Sequence, residues 1–309
     1  MITSRSRTGR RFRVPSRNLF FLVTSILLLL DLYLRFRESL TLMTESTIGP
    51  YAMSDSKSEE LPTMELPSHI SEVFLNIGSN IDPILPPKDS GDKALTIAFE
   101  PIVGCKIKPH KQLMVVNAAV AATAGLASMF IYNNNGLSSS LSKPAIQGLW
   151  NSDSERDGHI QIVPIITLRQ ILSAIPQHIA IPYIKTDMQG YDFLAVAAAQ
   201  DFLFQRKVDY VYTEVYVHNL PSYQGVSNDF CTDWWPHMRR VGYDLVYLYP
   251  PTFFSILPTK GLDTKEATEY CAEQIGKAPK NATLHLLNEA NALWKRKGAA
   301  DREFLFEKH

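Results

Sequence analysis

Apolar and polar positions fall in blocks that divide this chain into three zones. The first is an apolar run, Leu19–Leu34 (LFFLVTSILLLLDLYL), broken only by Thr24, Ser25, Asp31 and Tyr33. Extended to Phe36 it just reaches the ~17 residues that a bilayer-crossing helix needs. The second zone, Ser39–Pro67, is poor in aromatics and holds Thr, Ser, Glu, Lys and Pro. That composition predicts a flexible stem. In the third zone short apolar runs recur between turn signals. Val73–Ile77, Ala94–Phe99, Gln112–Val116, Ile160–Ile166 and Val208–Val217 read as strands, and so does the run that opens at Ile181 and ends at Asp187. Leu126–Tyr132 reads as an edge or surface strand. A helix is expected after Thr167, a second over Tyr191–Gln205, and a helical extension from about Asp263 to the end. Trp234, Trp235, Val241, Tyr243 and Leu245 read as core between helix and strand. This alternation of strand and helix predicts an α/β fold with a mostly parallel, Rossmann-like sheet. The expected layout is a basic tail (1–18), a transmembrane anchor (19–36), a stem (37–68), one catalytic domain (69–262) and the extension (263–309).

Charge sharpens the first zone. The net charge is zero, but eight of the 31 basic residues are arginines at or before Arg37, against one acid, Asp31. The remainder carries 23 basic and 30 acidic residues, a net of −7. A folded part this acidic is not a nucleic-acid binder, because phosphate neutralisation needs clustered Lys and Arg. Six arginines precede the apolar run and two follow it. The positive-inside rule then puts the N-terminus in the cytosol and the rest across the membrane, as in a type II Golgi or ER enzyme. An Arg- and Ser-rich, acid-free start also suits a mitochondrial or plastid presequence, and that alternative stays open. Cys105, Cys231 and Cys271 have no zinc spacing, so no metal is expected, and they read as buried or idle thiols.

The chemistry sits at predicted strand ends. Gly78-Ser79-Asn80 forms a turn after the first strand. Glu100 ends the second strand, 22 positions after Gly78. That spacing suits an acid that accepts the ribose hydroxyls of a nucleoside. Asn117 ends the third strand, where the base would lie. Asp187 is delivered to the carboxyl edge of the sheet, the edge at which open α/β sheets bind ligands. Glu214 falls within a predicted buried strand, where an acid is costly unless paired or used. His218 lies beyond that strand's end. Ser138-Ser139-Ser140 is a flexible loop or a set of hydroxyls that closes over a ligand. Asp153–Gly158 resembles the start of a calcium loop, but its twelfth position is Pro164 in place of the required Glu. Asn281-Ala282-Thr283 is a glycosylation sequon or a helix cap.

Six of these pieces, in order, give the domain a resemblance to the FkbM-type methyltransferases. They are Asn76-Ile77-Gly78-Ser79-Asn80, Ala98-Phe99-Glu100-Pro101, Asn117-Ala118-Ala119-Val120, Ser138-Ser139-Ser140-Leu141, Lys185-Thr186-Asp187-Met188-Gln189-Gly190 and Thr213-Glu214-Val215-Tyr216, with His218 nearby. The resemblance covers roughly residues 70–250. It implies a class I Rossmann-like fold, S-adenosylmethionine (AdoMet) as cofactor, and O-methylation of a sugar, glycan or small molecule. It further implies Asn76, Gly78, Glu100 and Asn117 at the cofactor, with Asp187, His218 and Glu214 serving proton removal. The sequence departs from the family in two places. Its glycine loop is thin, with Asn76 for the usual Asp, and Gln189 stands where the family has Glu. Two other readings stay open: a Golgi-type glycosyltransferase using Asp153, Glu155 and Asp157, and a non-catalytic AdoMet-binding module.

Overall fold

A computed structural model describes residues 63–132, 136, 138–145, 159–217, 222–249, 261–275 and 289–302, all within the unit 60–309. The predicted anchor, the stem up to residue 62, the calcium-like loop, His218 and the sequon lie outside the described residues. Among the described residues no helix is long and apolar enough to cross a membrane.

The apolar runs form strands as their composition requires. β1 (Glu72–Ile77) and β2 (Ala94–Phe99) are buried almost throughout, the signature of strands covered on both faces. With β3 (Leu113–Val116), β7 (Ala180–Thr186), β8 (Tyr210–Tyr216), β9 (Tyr243–Tyr249) and β10 (Glu289–Arg296) they make one sheet in the order β3-β2-β1-β7-β8-β10-β9. Only β10 runs antiparallel to its neighbours in it. The chain works outward from β1 to β3, then returns to lay β7 on the other side of β1. The switch point of the sheet therefore lies between β1 and β7, where a crevice opens at the carboxyl ends.

Helices pack on one face of this sheet. α1 (Leu168–Ala174) is capped by Thr167 in a reciprocal capping box with Gln170. The predicted helix over 191–205 is two short ones, α2 (Asp192–Ala198) and α3 (Gln200–Gln205), joined at Ala199 (φ −107°, ψ 10°). A π-helical turn, Phe230–Trp234, leads into α4 (Trp235–Arg240). α5 (Thr264–Gln274) starts at the expected Asp263/Glu266 capping box. The main core joins these helices to the sheet through Phe230, Trp234, Trp294, Leu75, Ile97 and Val211.

Three findings depart from the sequence reading. The 263–309 extension is not all helical, because β10 inserts between β8 and β9 and completes the sheet. Its apolar residues Ala290, Ala292, Leu293 and Trp294 form a short buried run, which without strong alternation looks the same in a strand or a helix. Next, β4 (Ala119–Ala121), β5 (Gly125–Ile131) and β6 (His159–Thr167) form a separate three-stranded sheet, ordered β4-β6-β5, with its own small core of Met129, Ile131 and Val163. Finally, Cys231 and Cys271 are joined in a disulfide, and only Cys105 is free. α4 before β9 and α5 after it both pack on β9, which brings together cysteines 40 residues apart.

A cross-link closing a 40-residue loop removes about 4 kcal/mol of unfolded-chain entropy. The Cys231→Ser/Cys271→Ser variant is therefore expected to melt roughly 10 °C lower than the parent by calorimetry. Equal melting temperatures would contradict this role.

Candidate functional site

The crevice begins where β1 ends. Gly78 takes φ 73°, and a Cβ there would lie 1.8 Å from the main-chain oxygen of Asp187. No side chain fits that approach. Around it the two strand ends are stitched together. Asp187 N–H donates to Ile77 O (2.9 Å), and Gly78 N–H donates to Phe99 O (2.9 Å). The Asn76 side chain is buried and accepts from Ile84 N–H at 2.8 Å. Asn76 thus fastens the far end of the glycine loop and does not line the pocket.

Glu100 closes the loop from the β2 side. It is 3% exposed and lines the pocket. Asn80 N–H donates to its Oε2 (2.6 Å), and Ile102 N–H donates to its Oε1 (2.9 Å). Burial raises its pKa above the ordinary carboxylate range, those two donors pull it back, and the charge of Asp187 adds to the rise. Both oxygens are oriented by main chain, and each keeps lone-pair capacity for a ligand. Asn117 is exposed, and its amide donates to the Glu100 carbonyl (3.1 Å). It positions the Glu100 main chain and is not among the lining residues. Beside Glu100 the pocket is apolar, walled by Phe99, Ile102, Ala118, Val120 and Met129, and it spans ≈ 630 Å³ with its open mouth included. Met129 comes from the second sheet, which no single motif in the sequence assigns to the site.

The opposite wall is built by Asp187 and the turn after β7. Asp187, Gln189, Ser139 and Ser140 all line the pocket. Gln189 Nε2 donates to Asp187 Oδ1 (2.9 Å), and its Oε1 accepts from the Tyr223 hydroxyl (2.7 Å). Ser140 Oγ donates to Gln189 O (2.8 Å), while Ser139 Oγ accepts from Tyr132 N–H (3.0 Å). The serine hydroxyls are thus committed to holding the wall. Tyr223 is missed by sequence reasoning because it sits in a loop segment without periodicity.

Behind Asp187 lies a set of buried and half-buried acids. Asp192, at the start of α2, accepts from Met188 N–H (3.1 Å) and is pushed up to about 7 by burial and then by Asp187. Glu214 on β8 is opposite Asn291 of β10, and Glu289 is its diagonal neighbour across the ladder. Burial, then their mutual proximity and Asp187, raise Glu214 far above the ordinary range. Glu289 reaches about 7 through burial and Asp187. Glu214 does not line the pocket. Of the three residues expected to serve proton removal, Asp187 reaches the pocket, Glu214 sits behind it, and His218 is outside the described residues.

With this geometry in view, the family is evident. The profile of the family described as "Methyltransferase FkbM domain" matches residues 72–245, more than half of the chain. The chain belongs to that family and carries its methyltransferase domain. No curated protein and no solved structure matches the chain.

Two outcomes are expected from the site's geometry. Gly78→Ala forces β1 and β7 apart and should cost more than ~3 kcal/mol in urea unfolding or abolish soluble expression, whereas Gly91→Ala, with open space around it, should cost only the strain of its positive φ, ~1–3 kcal/mol. Equal costs at the two glycines would contradict the crossing. The buried acids set a pH dependence. A carboxyl raised in the fold stabilises most while protonated in both states, and that stability is lost as pH rises from about 4 towards 7. His237, pushed down to about 4 by burial and Arg240, acts oppositely between about 4 and 6.5. The raised carboxyls of Glu100, Asp192, Glu214, Asp233 and Glu289 outweigh one imidazole, so the melting temperature should fall from pH 5 to pH 7.5. Asp192→Asn keeps an acceptor for Met188 N–H and should flatten that fall, and an unchanged slope would contradict the assignment.

Proposed function

We propose that the chain is an AdoMet-dependent O-methyltransferase whose acceptor is a hydroxyl on a sugar, glycan or small molecule. The observation that carries this reading is Glu100, a buried acid at the end of β2 whose two oxygens are fixed by Asn80 and Ile102 N–H at the switch point of the sheet. A carboxylate so held suits the two hydroxyls of a ribose. The apolar walls from Phe99, Ile102 and Met129 suit a purine, so the residues fit the nucleoside half of AdoMet. Bound AdoMet supplies a methyl group on a sulfonium, open to in-line attack by a hydroxyl oxygen. An acceptor hydroxyl taking that methyl group would have to give up its proton to a residue of this chain. Asp187 is the pocket carboxylate on the β7 side and the base for that proton. Burial on the apolar side of the pocket keeps water from competing for the methyl group.

The membrane setting belongs to the same proposal. The apolar run 19–36 with its flanking arginines supports a type II anchor, with the catalytic domain in the Golgi or ER lumen. The Cys231–Cys271 disulfide supports an oxidising compartment independently of the anchor.

Calorimetric titration of the purified chain with AdoMet tests the chemistry. Binding is expected, and Glu100→Gln should weaken it about 10–100-fold, the worth of a charged hydrogen-bond acceptor. Failure of the parent chain to bind would overturn the reading. Protease added to intact microsomes tests the orientation. The domain should resist digestion until detergent is added, and digestion in sealed vesicles would overturn the lumenal assignment.

A further inference from the structure

Gln189 holds an unusual position. It is one of three non-glycine residues with positive φ among the described residues, at 52°. A glutamine pays for that left-handed backbone unless its surroundings fix it. Here three bonds do so. Its main-chain oxygen accepts from Ser140 Oγ (2.8 Å). Its Nε2 donates to Asp187 Oδ1 (2.9 Å), and its Oε1 accepts from the Tyr223 hydroxyl (2.7 Å). That hydroxyl, on a fully buried ring, also shares its proton with Ser138 O (2.9 Å). Gly190 comes next at φ 100°, with Tyr216 Oη and Val226 Cγ2 each 2.9 Å from where a Cβ would stand, so the segment has no room to shift.

The chemistry of each partner dictates the orientation of the amide. An ionised carboxylate accepts only, so the amide nitrogen faces Asp187. The oxygen is left to face Tyr223, which donates. An amide satisfies both neighbours at once. A glutamate could not, since it has no donor for Asp187 unless protonated, and two carboxylates this close must share one proton. The charged and titratable groups around Asp187 are Glu100 on the β2 loop, Asp192 on α2, Glu214 on β8, Glu289 on β10, Lys185 on β7, and the phenols of Tyr212 and Tyr223. Four of them are acids and the one cation, Lys185, acts on Glu214, so a further carboxylate beside Asp187 would add to an excess of acid.

We propose that Gln189 is a positioning residue matched to this site: its amide orients the Asp187 carboxylate and locks it, through Tyr223 and Ser140, to the serine wall of the pocket. Glutamine in place of the family's glutamate thus keeps a donor on Asp187 without adding a carboxylate to the acids around it. The role of Asp187 as base rests on the proposed function, but the wiring of Gln189 does not.

The test uses the whole chain and two readouts. Melting temperature against pH is measured for the parent, Gln189→Glu and Gln189→Glu/Asp187→Asn. With Gln189→Glu the deficit relative to the parent should grow from pH 5 to pH 8, because one carboxyl of the new pair is held protonated in the fold. Adding Asp187→Asn restores one amide facing one carboxylate and should remove the pH-dependent part of the deficit. A deficit that is constant with pH, or one that Asp187→Asn does not relieve, would overturn the proposal. The second readout is AdoMet affinity against pH. Gln189→Glu should change it about tenfold between pH 6 and 8 while the parent stays flat, and parallel curves would count against the orienting role. If the parent binds no AdoMet at all, the proposed function fails, and the melting series still decides the wiring.

Discussion

The crossing of β1 and β7 at Gly78 is the constraint on which the rest of the structure depends. The Asp187 carbonyl occupies the space that any side chain at position 78 would need. This contact brings the glycine loop, the end of β2 and the end of β7 into one crevice. Glu100 can be held by Asn80 N–H only because the loop turns at Gly78, and Asp187 faces the same pocket only because its main chain runs against that turn. A single approach of two backbones thus joins the Glu100 side of the pocket to the Asp187 side.

The polar groups of the site divide the work. Asn76 and Asn117 hold main chain in place, Glu100 faces the pocket, and Gln189 ties Asp187 to the serine wall. The buried acids behind Asp187 oppose stability at neutral pH, as uncompensated carboxyls do in an apolar setting. Among them, the Gln189 amide gives Asp187 a donor without adding another carboxyl.

Much of this was legible in the sequence, for physical reasons. The strands of a doubly covered sheet are continuous apolar runs, and Val73–Ile77 and Ala94–Phe99 could hardly be anything else. Glycine and acid at strand ends mark a ligand edge, so Gly78, Glu100 and Asp187 stood out. What was hidden depends on long-range pairing. β10 has no periodicity of its own, and its place between β8 and β9 comes from the register of Glu289 with Tyr216. Tyr223 and Met129 reach the site through a loop and a second sheet, and local pattern does not encode that. The Cys231–Cys271 bond needed the return path through β9 to be known. Gln189 could be read from sequence only as a missing charge, because its two side-chain hydrogen bonds come from partners 2 and 34 positions away.

The most direct measurement is a crystal structure of the chain with S-adenosylhomocysteine, the demethylated product of AdoMet. The account requires the nucleoside to lie against Phe99 and Ile102 with its ribose hydroxyls on Glu100 and its sulfur turned towards the Asp187 side of the pocket. A nucleoside bound away from Glu100, or a pocket that stays empty at saturating ligand, would contradict it.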